Sequence, residues 1–103
     1  MKKIAIFGGT FDPIHLAHTR LAETALSELG LDKVVFMPNE VSPFKLDSKI
    51  SPAEHRCKMI EIAIQNDKRL EMTTYEIDKK GISYTYDALK DLSAMYEARL
   101  YFI

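Results

Sequence analysis

A short apolar segment, residues 4–7, runs directly into a pair of glycines and then into a long amphipathic segment. Consecutive apolar residues of this kind are typical of a strand that is buried on both faces. Gly8 and Gly9 predict a tight turn whose backbone takes conformations barred to other residues. A strand, a glycine turn and a helix start, in this order, bring backbone N–H groups to a place where they can face an anion.

Strand-like and helical patterns alternate along the rest of the chain. We expect strands at residues 3–7, 33–37 and 100–103, a β-prone segment at residues 70–77, and a turn at residues 78–81. Helices are predicted over residues 16–29, from residue 51 to residue 66, and over residues 85–95. Gly30 is the predicted stop of the first helix, whose apolar face we expect to contain Leu16, Leu21, Ala22, Ala25, Leu26 and Leu29.

This alternation, with nearly continuous apolar strands, predicts an α/β fold: a Rossmann-like doubly wound parallel sheet that is covered by helices on both faces. A doubly wound sheet binds its ligands beyond the carboxyl ends of the strands. The last apolar residues would form a fourth strand with no loop after it. We therefore expect the sheet to be truncated after the fourth strand, and residues 1–103 to be part of a longer domain.

Composition excludes several classes of protein. The 103 residues are 47% hydrophobic and 28% charged, with a formal net charge of -1, so nothing in the overall charge attracts nucleic acid. No apolar run reaches the ~20 residues that a membrane span needs. The single Cys57 excludes an internal disulfide and fits a reducing, cytoplasmic compartment, where we expect a packed or half-exposed structural thiol. No Cys/His cluster has metal-ligand spacing, so we expect no metal held by protein side chains.

Two histidines, His15 and His18, stand at the predicted start of the first helix, three residues apart. This spacing places them on one helix face, near the positive end of the helix dipole. An imidazole there, either cationic or as a hydrogen-bond donor, can stabilise the negative charge that builds on a phosphate in its transition state. The pair predicts phosphate chemistry on a nucleotide. We interpret His55, inside the second helix, as a surface residue.

The residues around the glycine pair admit two interpretations each. Gly8 and Gly9 form either a phosphate cradle or a tight turn without a ligand. Thr10 and Asp12 can cap the following helix, which is the ordinary use of such side chains. Phe11 is either a packing residue or a platform for a nucleotide base.

Four residues further along the chain also admit two interpretations each. Lys45, in the loop after the second strand, and Arg56, on the second helix, either reach phosphates at the carboxyl edge of the sheet or are solvated surface charges. Tyr84 and Thr85 offer hydroxyl and backbone donors, or form a simple helix cap with a packed tyrosine.

Residues 8–18 resemble the GGTFDPIHxGH signature of the nicotinate-nucleotide adenylyltransferases, which belong to the wider nucleotidyltransferase superfamily with its HxGH core. Four further segments resemble that family's motifs in the same order. Residues 37–39 with 43–45 resemble its PN…PPHK loop, 55–59 its HRxxM helix, 83–89 its SYTxDTL segment, and 100–103 the strand before its GxD loop. Two positions depart from the pattern: Ala17 replaces a glycine, and Phe44 stands where the family often has histidine.

The resemblance implies adenylyl transfer from ATP to nicotinate mononucleotide, giving deamido-NAD and pyrophosphate in NAD biosynthesis, with Mg²⁺ assisting as a companion of ATP. The acceptor's phosphate attacks the α-phosphorus of ATP in line, so catalysis is positioning plus charge stabilisation without a protein nucleophile. The resemblance also implies a role for each motif residue. His15 and His18 would hold the ATP phosphates, Lys45 would approach them, and the phosphate cradle would be lined by Gly8, Gly9, Thr10 and Phe11. The nicotinate nucleotide would be faced by Asn39, Tyr84 and Thr85.

The same resemblance implies that residues 1–103 are the N-terminal portion of a single nucleotidyltransferase domain, with little or no turnover alone. Separately, the uncovered apolar edge of the truncated sheet predicts self-association. Two alternatives stay open. One is another HxGH enzyme, which adenylates phosphopantetheine or transfers a cytidylyl group; residues 83–85 match the nicotinate branch instead. The other is a nucleotide-binding module without catalysis, which Ala17 favours.

Overall fold

The computed structural model describes residues 2–9, 11, 14–39, 53–79 and 85–103, and for residues 76, 79 and 85–88 it describes the backbone alone. The elements follow in the order β1 (Lys2–Gly9), α1 (Leu16–Leu29), β2 (Lys33–Pro38), α2 (Ala53–Ile64), β3 (Leu70–Met72), α3 (Tyr75–Lys79), α4 (Thr85–Tyr96) and β4 (Ala98–Phe102). The described strands form one parallel sheet in the order β3-β2-β1-β4. The predicted Rossmann-like doubly wound fold is confirmed.

Helices cover the sheet on both faces, because alternate residues of each strand point to opposite sides. Ala5 and Phe7 of β1 pack in one apolar cluster with residues of α1 and α2. Ile4 and Ile6 pack in a second cluster with Leu92 of α4. Both clusters are therefore built on the same strand, and this explains why β1 reads as an unbroken apolar run.

The helix α1 has the predicted bounds, Leu16–Leu29. It ends because Gly30 takes the left-handed conformation, with φ 61°, and donates its N–H to the carbonyl oxygen of Leu26. Leu31 donates to the same oxygen at 3.1 Å. These bonds satisfy a carbonyl that the end of a helix would otherwise leave unpaired.

The predicted apolar face of α1 is wrong in part. Ala22, Ala25 and Leu26 are buried, whereas Leu16, Leu21 and Leu29 are 63%, 47% and 49% exposed. Leu16 and Leu29 are the terminal residues of the helix. Leu21 lies about 100° round the helix from Ala22, at the flank of the buried stripe. Small alanines at the centre let α1 lie close to the sheet.

The β-prone segment 70–77 is a strand only at Leu70–Met72, and α3 follows it. Two threonines supply local partners that compete with the sheet. Thr73 accepts the N–H of Tyr75 on its hydroxyl, and Thr74 donates its hydroxyl to the Asp78 carboxylate at 2.7 Å. Asp78 and Lys79, predicted as a turn, belong to α3.

The remaining predicted bounds differ by one or two residues. The strand β2 extends to Pro38, the helix α2 ends at Ile64, and α4 continues to Tyr96. The strand β4 begins at Ala98, before the expected residue 100, because Ala98 pairs with Lys2 at the start of β1. The predicted cap of α2, Ser51 with Pro52, lies outside the described residues. Among the helices that the structure describes, none combines the length and the apolar character needed to cross a bilayer.

Candidate active site

The carboxyl end of β1 lies where the winding of the sheet reverses. The strands β2 and β3 extend the sheet on one side of β1, and β4 lies on its other side. Open α/β sheets bind ligands beyond the carboxyl ends of the strands at such a switch point. Gly8, Gly9 and Phe11 stand at this point, followed by the start of α1 at Leu16. The topology thus selects the same segment that the sequence pattern selects.

The glycine pair has a different physical role from the one we predicted. Neither glycine has a positive φ; both end β1 as ordinary strand residues, paired with Met37 and Pro38. A Cβ atom on Gly8 would lie 3.2 Å from the ring of Phe102, and one on Gly9 would lie 3.2 Å from the ring of Phe11. The glycines are needed because aromatic rings lie against the backbone, and the prediction of an unusual backbone is wrong.

Phe11 is a packing residue. Its side chain is only 3% exposed, and its ring meets those of Phe7, Phe36 and His18 edge-on, with centroids 5.4, 5.5 and 5.1 Å away. The backbone of Phe11 has a φ of 51°, a left-handed conformation that is an outlier for a bulky residue. This strain is offset by the burial of the ring. A buried ring is not a platform for a nucleotide base.

The two histidines meet at the N-terminus of α1. His15 is the cap residue, with an extended backbone (φ -140°, ψ -179°), and His18 is the third residue of the helix. The His18 N–H donates to the His15 carbonyl at 2.9 Å, and the His15 N–H donates to Nδ1 of His18 at 3.1 Å. The two rings are 4.1 Å apart between centroids. The two imidazoles therefore lie side by side, with His15 capping the helix instead of lying on one of its faces.

These contacts define the protonation of His18. Its Nδ1 accepts a hydrogen bond, so the proton of the neutral ring lies on Nε2. Burial beside Phe7 and Phe11, and then the neighbouring His15, lower the pKa of His18 below its ordinary value of 6.5. Of the two forms that we considered for this imidazole, the geometry favours the neutral hydrogen-bond donor over the cation.

Asn39 lies directly after β2, beside the glycine pair. Its N–H donates to the Gly9 carbonyl at 2.9 Å, and its own carbonyl accepts a hydrogen bond from Nη1 of Arg56 at 2.9 Å. Arg56 is fully buried, so its interpretation as a solvated surface charge is wrong. A signal for this burial was present in the sequence: Arg56 precedes Ile60 and Ile64 at four-residue spacing, and all three share the buried face of α2.

The other predicted residues are only partly covered by the structure. Thr10, Asp12, Phe44, Lys45 and Tyr84 lie outside the described residues. Thr85 begins α4, and its side chain is not described. The contacts of these residues with a nicotinate nucleotide or with phosphates therefore stay predictions.

Three further predicted residues are described, at α1 and α2. His55 and Ala17 are exposed. Cys57 is half-buried, and burial raises the pKa of its thiol, which agrees with a packed structural thiol.

Known proteins resemble this chain over its whole length. A family model described as "Cytidylyltransferase-like" matches residues 6–102. Two curated relatives carry the name "Probable nicotinate-nucleotide adenylyltransferase". The relative from Clostridium novyi (strain NT) is 44% identical over 100% of this chain and 52% of its own length. That from Clostridium acetobutylicum is 47% identical over 90% of this chain and 46% of its own length. The chain spans about half the length of the curated relatives it matches.

A solved structure supports the fold independently. It is that of Plasmodium falciparum nicotinic acid mononucleotide adenylyltransferase complexed with NaAD, at a TM-score of 0.78 and 24% identity. The superposition covers 99% of this chain and 51% of that one. A complex of the same enzyme with APC superposes with a TM-score of 0.76.

Proposed function

Because the chain belongs to the cytidylyltransferase-like family, we propose that it provides the phosphate-binding part of an adenylyltransferase. The proposed reaction transfers an adenylyl group from ATP to nicotinate mononucleotide and yields deamido-NAD and pyrophosphate. The observation that carries this proposal is the imidazole pair at the N-terminus of α1, at the switch point of the sheet. The names of the curated relatives support the choice of nicotinate mononucleotide as acceptor.

His18 would act on the phosphates of ATP as a neutral donor. Its Nδ1 is engaged by the His15 N–H, so Nε2–H is the group it can offer to a phosphate oxygen. The positive end of the α1 dipole attracts the same oxygens. Such fixed donors stabilise the charge that builds on the α-phosphate as the acceptor attacks, and no protein nucleophile is required.

The other proposed contacts follow the motif positions. Gly8, Gly9, Thr10 and the backbone of Phe11 would line the phosphate cradle, and Lys45 would approach the phosphates. Asn39, Tyr84 and Thr85 would face the nicotinate nucleotide. The Phe11 ring has a supporting part, since its edge contact holds the imidazole of His18 in place.

The proposal assigns Mg²⁺ to ATP as part of the substrate. Among the residues that the structure describes, no group of three or more His, Cys, Asp or Glu side chains could hold a metal ion. In this proposal the ion enters with ATP, and no step is assigned to it.

Two proposals concern the setting of the protein. Cys57 is consistent with a reducing, cytoplasmic compartment.

Among the described strands, β4 has a neighbour on one side alone, and its Phe102 is 48% exposed. An uncovered apolar edge invites pairing, so we propose self-association along β4.

Activity measurements would test the assignment. We expect product from ATP with nicotinate mononucleotide and none with phosphopantetheine, in the protein that carries this sequence. Replacement of ATP by CTP tests cytidylyl transfer, which the family description raises as the second candidate. Binding of ATP in calorimetry without turnover of either acceptor would support the non-catalytic module instead.

The role of His18 has its own test. In the parent enzyme that carries this sequence, His18→Ala should lower turnover by roughly 10²–10³-fold, as the loss of one charge-stabilising donor does, while the fold persists. His55→Ala is the matched control, because His55 is an exposed histidine on α2. A His18→Ala protein with unchanged turnover would remove this side chain from the mechanism.

A further inference from the structure

Arg56 makes a contact that links α2 to the site. Its side chain is fully buried, and Nη1 donates to the carbonyl oxygen of Asn39 at 2.9 Å. Burying a guanidinium carries a desolvation penalty of several kcal/mol, and a buried charge is therefore weak evidence for stability. The buried guanidinium of Arg56 is therefore better explained by the group that it bonds, the Asn39 carbonyl, than by a gain in stability.

The contact continues into the sheet. Asn39 donates its own N–H to the Gly9 carbonyl at 2.9 Å, so the peptide units on both sides of Asn39 are engaged. One chain of hydrogen bonds thus runs from the guanidinium on α2, through Asn39 at the end of β2, to Gly9 at the end of β1. Hydrogen bonds from a charged donor are about twice as strong as neutral ones, and they restrict the carbonyl accordingly.

We propose that Arg56 is a positioning residue, which fixes Asn39 relative to Gly9. The functional part of this proposal rests on the function proposed above, in which Asn39 faces nicotinate mononucleotide and Gly9 lines the cradle for the ATP phosphates. Arg56 then sets the separation between the acceptor and the donor without touching either. In-line transfer depends on that separation, because a misplacement of about 1 Å lowers rates strongly.

Amide hydrogen exchange measures the first part directly and needs no ligand. In Arg56→Gln, we expect the Asn39 amide to exchange at least about tenfold faster, because the carbonyl of Asn39 has lost the charged donor that holds this residue against Gly9. The amide of Val35, at the centre of β2, should keep its protection. Arg69→Gln is the matched control, since Arg69 is an exposed arginine paired with Asp67.

Two exchange results would overturn the proposal: an unchanged Asn39 amide, or equal acceleration at Val35 and Asn39, which indicates a general loss of stability. If Arg56→Gln does not fold, Arg56→Lys serves for the same comparison. Lysine keeps the charge but lacks the planar fork of arginine. We expect faster exchange at Asn39 in this variant also, and no acceleration there would overturn the proposal.

Calorimetry tests the functional part. Arg56→Gln should weaken binding of nicotinate mononucleotide about tenfold or more, and binding of ATP less, because ATP is held by the start of α1. Unchanged affinity for the mononucleotide beside a loosened Asn39 would overturn this part. If the wild-type protein binds no mononucleotide, the proposed function fails, and the exchange data still decide whether Arg56 positions Asn39.

Discussion

Gly8 and Gly9 differ in what surrounds their missing side chains. The ring that a Cβ on Gly9 would meet belongs to Phe11, which is 3% exposed and enclosed by Phe7, Phe36 and His18. The ring facing Gly8 belongs to Phe102, which is 48% exposed and has room to move. The same substitution should therefore have different effects at adjacent positions.

We predict that Gly9→Ala lowers the free energy of unfolding by about 1–3 kcal/mol, the usual range for overpacking a filled core. Gly8→Ala should change it by less than about 1 kcal/mol, because Phe102 can yield and alanine restricts the unfolded chain. Urea denaturation of both variants checks this. Equal losses would mean that the enclosure of Phe11 does not decide the effect.

A second prediction concerns pH and His18. Its pKa is lowered in the folded state, so the unfolded chain takes up this proton first as the pH falls. The stabilisation that neutral His18 contributes is present above about pH 6.5 and is lost as the pH falls through the lowered pKa. We expect His18→Asn, which retains an acceptor but does not titrate, to lose less stability than wild type between about pH 8 and pH 5.

Thermal unfolding across that pH range provides the measurement, and His55→Asn is the control that should behave as wild type does. If wild type and His18→Asn lose stability in parallel, burial beside Phe7 and Phe11 does not keep His18 neutral.

At the scale of single residues, the sequence predicted the histidine pair but not its surroundings. The spacing of His15 and His18 is local, so pattern alone was sufficient. The left-handed Phe11 depends on ring partners from β1 and β2, and the contact of Arg56 depends on Asn39 at the end of β2; no short pattern reveals these partners. The charge of Arg56 suggested the surface, whereas the spacing to Ile60 and Ile64 indicated the core.

Elements were predictable where local signals agreed. The helix α1 has the predicted bounds, and its end is clear because Gly30 is a strong helix stop. The segment after β3 was not predictable from local signals. Its composition is β-prone, but the hydroxyls of Thr73 and Thr74 support a helix start there. Local competition of this kind is decided by the surrounding structure rather than by propensity.

The stop of α1 gives a prediction at this scale. Gly30→Ala should lower stability by about 1 kcal/mol, because alanine is strained at a positive φ. Nothing in the described part of the chain lies within 4 Å of an added Cβ, so the effect would be conformational and not steric. Gly30→Asn should recover part of the loss, since asparagine tolerates this conformation better. Chemical denaturation distinguishes the two, and equal losses would point to a steric cause.

For the molecule as a whole, the order β3-β2-β1-β4 is what joins distant residues into one site. It places β1 between β2 and β4, so Gly9 meets Asn39 on one side and Gly8 meets Phe102 on the other. The alternation of apolar strands and helices predicted the class of this sheet, but the side of β1 on which each strand would pair is a property of the complete fold.

Among the described strands, β4 is an edge strand, and this position gives the prediction that concerns self-association. We expect light scattering to show an average mass above that of one chain, rising with protein concentration. Replacing the exposed Phe102 by lysine should reduce it, because charge on an edge strand opposes pairing. A clean monomer at high concentration would contradict the proposed pairing.

The central claim is that the N-terminus of α1 with its paired imidazoles binds the phosphates of ATP. The most direct measurement is an ATP titration of protein labelled with ¹⁵N in its histidines, followed by NMR of the three imidazoles. We predict saturable shifts at His15 and His18, with Nε2 of His18 still protonated, while His55 stays unchanged. Equal shifts at all three rings, or shifts at His55 alone, would contradict the claim.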